Sequence, residues 1–172
     1  MKDLFAAINE RSSIRGYADE PLSAEQNTAL VEFGLKAPTA RNEQELHFTI
    51  IDGKGALAEE IGKELNPANP LGYLYGAPTF ILISGKDDFS WTSVDAGIAV
   101  ENIHLGAIGL GLGSVIIGCI EHIVNGARKE YYREALGIPE GYSFRVAIAA
   151  GRPVASKAQH TYSYDSQVTD LM

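Results

Sequence analysis

The sequence predicts one α+β or α/β domain in which helices cover a small sheet. Three observations predict it. The chain has 172 residues and is 45% hydrophobic, enough for one ordinary core. Short β-rich runs alternate with stretches of helical periodicity. No repeat, low-complexity tract or linker separates them, so a single domain spanning residues 1–172 is expected.

Leu4, Phe5 and Ile8 fall at helical spacing and predict a short helix over 3–10. Ser23 and Gln26 have the form of a capping box, which opens a helix that runs to Lys36 before Pro38 ends it. Leu46 to Ile51 is β-rich and reads as a strand. Ala56 to Leu65 reads as a helix through Leu57, Ile61 and Leu65, and Asn66 to Pro70 as a loop. Thr79 to Ser84 is continuously apolar, which suits a central strand covered on both faces. Thr92 to Leu110 is the longest helical stretch; its Ala and Gly residues allow a neighbouring helix to approach, and Gly111-Leu112-Gly113 ends it. Val115 to Ile117 is a short extended piece, Asn125 to Leu136 an amphipathic charged helix closed by Gly137-Ile138-Pro139, and Phe144 to Ala150 another strand. The polar tail after Pro153, with Tyr162 and Tyr164, has little core of its own, so a partner surface is its expected support.

Composition excludes several classes. A net charge of -8 argues against nonspecific nucleic-acid binding, which needs a basic face. Met1 to Phe5 leads into a mixed polar stretch, not a signal peptide, and no apolar run spans a membrane, so a soluble cytoplasmic protein is expected. The lone Cys119 excludes a disulfide framework or multi-cysteine cluster within one chain. Its apolar neighbours predict a buried, unreactive thiol. His47, His104, His122 and His160 show no metal-ligand spacing, and no G-x-S-x-G supports a hydrolase triad. Gly109 to Gly113 reads G-x-G-x-G at a helix end, which is not a dinucleotide fingerprint. Asp95 and Glu101 on the long helix are expected to be solvated or capping.

Two segments carry chemistry. Arg11, Ser12, Ser13 and Arg15 crowd donors after a helix end, which suits a terminal phosphate: Arg supplies charge-assisted bonds and Ser neutral ones. The same residues also fit an exposed polar turn. Asn42 and Gln44 have amides able to read a heterocycle edge, and equally fit a plain loop. Gly118 would let backbone approach a ligand, or simply bend the chain.

In order along the chain, four blocks resemble the nitroreductase family of FMN-dependent oxidoreductases in its short form. Arg11 to Tyr17 is similar to R-R-S-x-R-x-F, and Ala37 to Gln44 to A-P-S-A-x-N-x-Q. Asp95 to Ser114 is similar to D-x-x-x-A-x-x-N…G-L-G-S. Leu136 to Pro139 with Phe144 to Pro153 is similar to L-G-I-P…G-x-P. The resemblance implies a three-layer α/β/α sandwich around a mostly antiparallel mixed sheet. It also implies an intertwined homodimer whose C-terminal tail reaches the partner, with FMN at the interface. Arg11 and Arg15 would hold the phosphate, with Ser13 and Ser12 assisting. Pro38, Thr39 and Asn42 would reach the flavin from the other protomer, with Gln44 supporting their loop. Ile117 and Gly118 would present backbone to the ring, and Arg152 or Lys157 would add charge. The implied activity is NAD(P)H oxidation with reduction of a nitroaromatic, quinone or related acceptor by a ping-pong scheme, with no catalytic side chain. The alternatives are enone reduction, dehalogenation, or a flavin-binding or sensory module without efficient turnover. The chain departs from the family pattern at Ser12, in place of the second Arg. It departs again at Glu45-Leu46, where Pro-Trp often follows the Gln, and in the short Gly53 to Gly76 segment, which implies a more open cleft.

Overall fold

A computed structural model describes residues 3–159 and 161–172. Seven α-helices and four strands are present among the described residues: α1 (Leu4–Glu10), α2 (Ala24–Leu35), β1 (Leu46–Asp52), α3 (Ala56–Leu65), β2 (Thr79–Lys86), α4 (Thr92–Gly109), β3 (Gly113–Ile117), α5 (Glu121–Val124), α6 (Lys129–Ala135), β4 (Tyr142–Gly151) and α7 (Tyr164–Gln167). The capping box forms as the spacing predicts: Ser23 Oγ accepts the Gln26 N–H, and Gln26 Oε1 accepts the Ser23 N–H.

The sheet order is β1-β2-β4-β3, and every neighbouring pair of strands is antiparallel. Among the described residues, parallel pairing is confined to one bridge, between Ser13 and Ser114. Alternation along β2 builds two cores. Phe80 and Leu82 face α3, α5 and α6, while Ile81 and Ile83 face α2 and α4. This is the expected α/β/α sandwich, and β2 is buried on both faces as its apolar run predicts. The register of β4 slips by one residue at Arg145, opposite Ile83 and Ser84. That bulge returns Phe144 to the face of Ala147, and Arg145 Nη2 reaches the Gly85 and Lys86 carbonyls and Asp87.

The small residues of α4 act as expected. Gly106 lies so close to the Phe33 ring of α2 that a Cβ there would come within 2.1 Å of it. The predicted helix Asn125 to Leu136 is corrected. Its first turn is lost because the Asn125 amide is spent on the start of β4, where Oδ1 accepts the Phe144 N–H and Nδ2 donates to the Phe144 carbonyl. A separate α5 precedes it, and α6 begins only at Lys129. The tail from Arg152 onward is exposed at every described position, including Tyr162, Tyr164 and Leu171.

Candidate functional site

The segment after α1 is held at two places. Ser13 bridges Ser114 at the head of β3, and the Ile14 N–H donates to the Ser114 carbonyl at 3.0 Å. Further on, the Ala18 N–H donates to the Arg152 carbonyl and the Val154 N–H to the Gly16 carbonyl, where the chain leaves β4. Tyr17 fills the space between, its hydroxyl donating to the Ile14 carbonyl at 2.7 Å; burial pushes its phenol upward.

Backbone fixed in this way aims the side chains. Arg11 lies against α4, with Nε 3.4 Å from Glu101 and Nη1 3.4 Å from His104 Nε2. Arg15 is exposed, its guanidinium 5.7 Å from the centre of the Tyr75 ring. Tyr75 belongs to the short Gly53 to Gly76 segment, which thereby touches the candidate clamp. Ser12 and Ser13 spend their hydroxyls on no partner among the described residues. A pocket of about 190 Å³ opens beside them, lined by Ser12, His104, Gly113, Ser114 and Pro153 among others.

The second segment is strained. Arg41, Asn42 and Gln44 have φ of 57°, 57° and 50°, the left-handed region that non-glycine residues rarely occupy. Three bonds hold them there: the Gln44 N–H to Thr39 Oγ1 at 3.0 Å, Gln44 Nε2 to Asn42 Oδ1 at 3.2 Å, and the Ala40 N–H to Asp95 Oδ2 at 2.9 Å. Such conformations cost roughly 1–3 kcal/mol each and collect at functional sites. Pro38, Asn42 and Gln44 are exposed, and Thr39 is half-buried.

Asp95 is buried and braces this loop, which corrects its expected solvated role. Glu101 caps nothing; it pairs with Arg11. Beside Asp95, Glu45 is 1% exposed and neither carboxylate oxygen has a hydrogen-bond donor. Burial first, and the Asp95 carboxylate after it, raise the Glu45 acid.

Ile117 is buried at the end of β3, and Gly118 is exposed where the chain leaves the sheet. A Cβ on Gly118 would meet nothing within 4 Å, so the space before its backbone is open. Cys119 is exposed, which corrects the expected burial: the chain turns off the sheet there and only its flanks, Ile117 and Ile120, point inward. Partial burial still raises its thiol. Arg152 pairs with Glu20 at 2.5 Å, whereas Lys157 is exposed and meets no carboxylate among the described residues. His160 lies outside the described residues. Among those described, no three His, Cys, Asp or Glu residues group to hold a metal, and no helix is long and apolar enough to cross a membrane.

One chain does not bring the two segments together. The first leans on α4 at Glu101 and His104, the second at Asp95. Nine helical steps from Asp95 to His104 amount to about 14 Å along the axis. Sequence reasoning missed His104, Glu101, Asp95 and Glu45 as participants. The available signal was polarity out of place: His104 among Ile103, Ala107 and Ile108, and Glu45 immediately before an apolar strand.

The sequence model of the Nitroreductase family matches residues 8–152. An Archaeoglobus fulgidus protein, provisionally named NADH dehydrogenase/NAD(P)H nitroreductase, is 30% identical over 164 residues, which is 91% of this chain and 89% of that one. The crystal structure of a nitroreductase with bound FMN from Desulfitobacterium hafniense superposes with a TM-score of 0.87 at 26% identity, covering 100% of both chains. An FMN-dependent nitroreductase from Clostridium difficile gives 0.84 at 28% identity over 99% of both.

Proposed function

Because this chain belongs to the nitroreductase family, we propose that it is an FMN-dependent NAD(P)H oxidoreductase whose phosphate clamp is the segment Arg11 to Arg15. One observation carries the assignment: the segment is fixed on Ser114 while the donors of Ser12, Ser13 and Arg15 remain unspent and Arg11 is held against α4 by Glu101 and His104. The Arg15 guanidinium and the Ser12 and Ser13 hydroxyls have no acceptor among the described residues, so the donor set fits a phosphate. Lys157 is favoured over Arg152 as the added cation, since Glu20 already takes the Arg152 guanidinium.

FMN, when bound, supplies the hydride chemistry between NAD(P)H and an oxidised acceptor. This chain supplies position and charge. Arg11, Ser12, Ser13 and Arg15 hold the phosphate end. The Ile117 and Gly118 backbone faces the ring, where the open space before Gly118 admits close approach. Pro38, Thr39 and Asn42, supported by Gln44, serve the site of a second protomer. The 14 Å offset along α4 supports that division, since the loop lies away from the clamp of its own chain. So do apolar groups without cover in one chain: Leu4, Phe5 and Ile8 on α1, Val94 and Ile98 on α4, and the tail with Tyr162, Tyr164 and Leu171. The dimer and the cytoplasmic location are part of this reading. The acceptor is a nitroaromatic, quinone or related small oxidant, alternating with the nicotinamide at one site.

The test is a visible spectrum of purified protein followed by anaerobic NADH and NADPH. Flavin bands that bleach support the oxidoreductase. Bands that persist with both nucleotides indicate a flavin-binding module, and no bands after FMN soaking overturn the clamp.

A further inference from the structure

We propose that His104 is the positioning residue of the phosphate clamp: held as the neutral Nδ1–H tautomer by Ser114, it presents a bare Nε2 that fixes the Arg11 guanidinium. The inference rests on the clamp reading above and deepens it.

His104 is 1% exposed on the sheet-facing side of α4, and both ring nitrogens are engaged. Nδ1 lies 2.5 Å from Ser114 Oγ and Nε2 lies 3.4 Å from Arg11 Nη1. A guanidinium only donates, so Nε2 must carry a lone pair and the ring proton must sit on Nδ1, donated to Ser114 Oγ. Ser114 thus grips the clamp twice. Its carbonyl accepts the Ile14 N–H and sets the backbone; its hydroxyl sets the histidine that sets Arg11. Glu101 meets the Nε edge of the guanidinium, leaving Nη2 without a bond among the described residues. Without His104, Arg11 would keep only the half-exposed Glu101, and such pairs orient side chains weakly.

Protonation would place an N–H where Arg11 needs an acceptor. The charged groups facing the ring are Arg11 from the end of α1 and Glu101 on α4 itself; Glu10 lines the same pocket, and β3 contributes the neutral Ser114. Burial, then the Arg11 charge, lower the imidazole to about 4, so it is neutral at pH 7.

The first measurement is ¹⁵N NMR of the imidazoles in FMN-free protein at pH 7. The expected signal for His104 is a protonated Nδ1 and a bare Nε2; the opposite tautomer overturns the proposal. The second is FMN affinity by fluorescence quenching for wild type, His104→Leu, His104→Gln and Arg11→Ala. His104→Leu is expected to bind about ten-fold more weakly, as for loss of one bond to a charged group. His104→Gln, whose amide oxygen still accepts from Arg11, is expected to recover most of that loss, and to lack the extra weakening that wild type shows as pH falls from 5 to 4. If Arg11→Ala loses FMN while His104→Leu binds as wild type, the positioning role fails and the clamp stands. If Arg11→Ala binds as wild type, the clamp reading fails and the proposal with it.

Discussion

Replacing Glu45 by Gln is expected to stabilise this protein at neutral pH and to leave its stability unchanged in acid. Glu45 is 1% exposed, neither of its oxygens has a donor, and the Asp95 carboxylate is its neighbour. Two carboxylates in contact can bond only through a proton held between them. Gln brings its own N–H donors to Asp95 and carries no charge. An unsatisfied buried polar group costs about 1–3 kcal/mol, so a gain of about 1–2 kcal/mol is expected. In a chain of this size that raises Tm by about 2–8 °C. The pH dependence gives the decisive sign. The folded protein raises the Glu45 acid above its unfolded value. Its contribution is therefore complete below the unfolded value and is lost as pH rises through the folded one. The advantage of Glu45→Gln should be near zero below about pH 4 and reach its full size toward neutrality. Thermal melts of FMN-free protein across that range measure it. A variant less stable than wild type at pH 7, or a difference independent of pH, would refute the reasoning.

Arg15→Ala should weaken FMN binding by about 10–100-fold, the range for a lost bond to a charged group, read by flavin retention on dialysis. Asn125→Ala should cost about 2–3 kcal/mol in urea unfolding, because it strands both the N–H and the carbonyl of Phe144 at the head of β4. Gly62→Ala should lower stability by about 1–3 kcal/mol or more, since its Cβ would come within 1.8 Å of the Pro70 carbonyl oxygen. If the proposed dimer forms by tail exchange, deleting residues 158–172 should shift it toward monomer in analytical ultracentrifugation, and an unchanged mass would count against that exchange.

Much of the fold was legible because its signals are local. The Ser23–Gln26 capping box, the apolar run of β2 and the helical spacing of α3 each state their element within a few residues. The composition of Arg11 to Arg15 announced a cluster of hydrogen-bond donors, and the order of four motifs named a family that the comparison then matched over residues 8–152. The break between α5 and α6 was not legible, because the Asn125 side chain is captured by a strand nineteen residues later. Cys119 was misplaced for a similar reason: apolar neighbours in sequence face the core while the turn sends the thiol outward. The supports of the site were hidden too. His104 meets Arg11 across 93 residues, and Asp95 meets Ala40 across 55. Chain order by itself determined which residues carry donors. The tertiary structure decided which donors are already spent, because spending depends on partners that only packing of α4 against the sheet brings within reach.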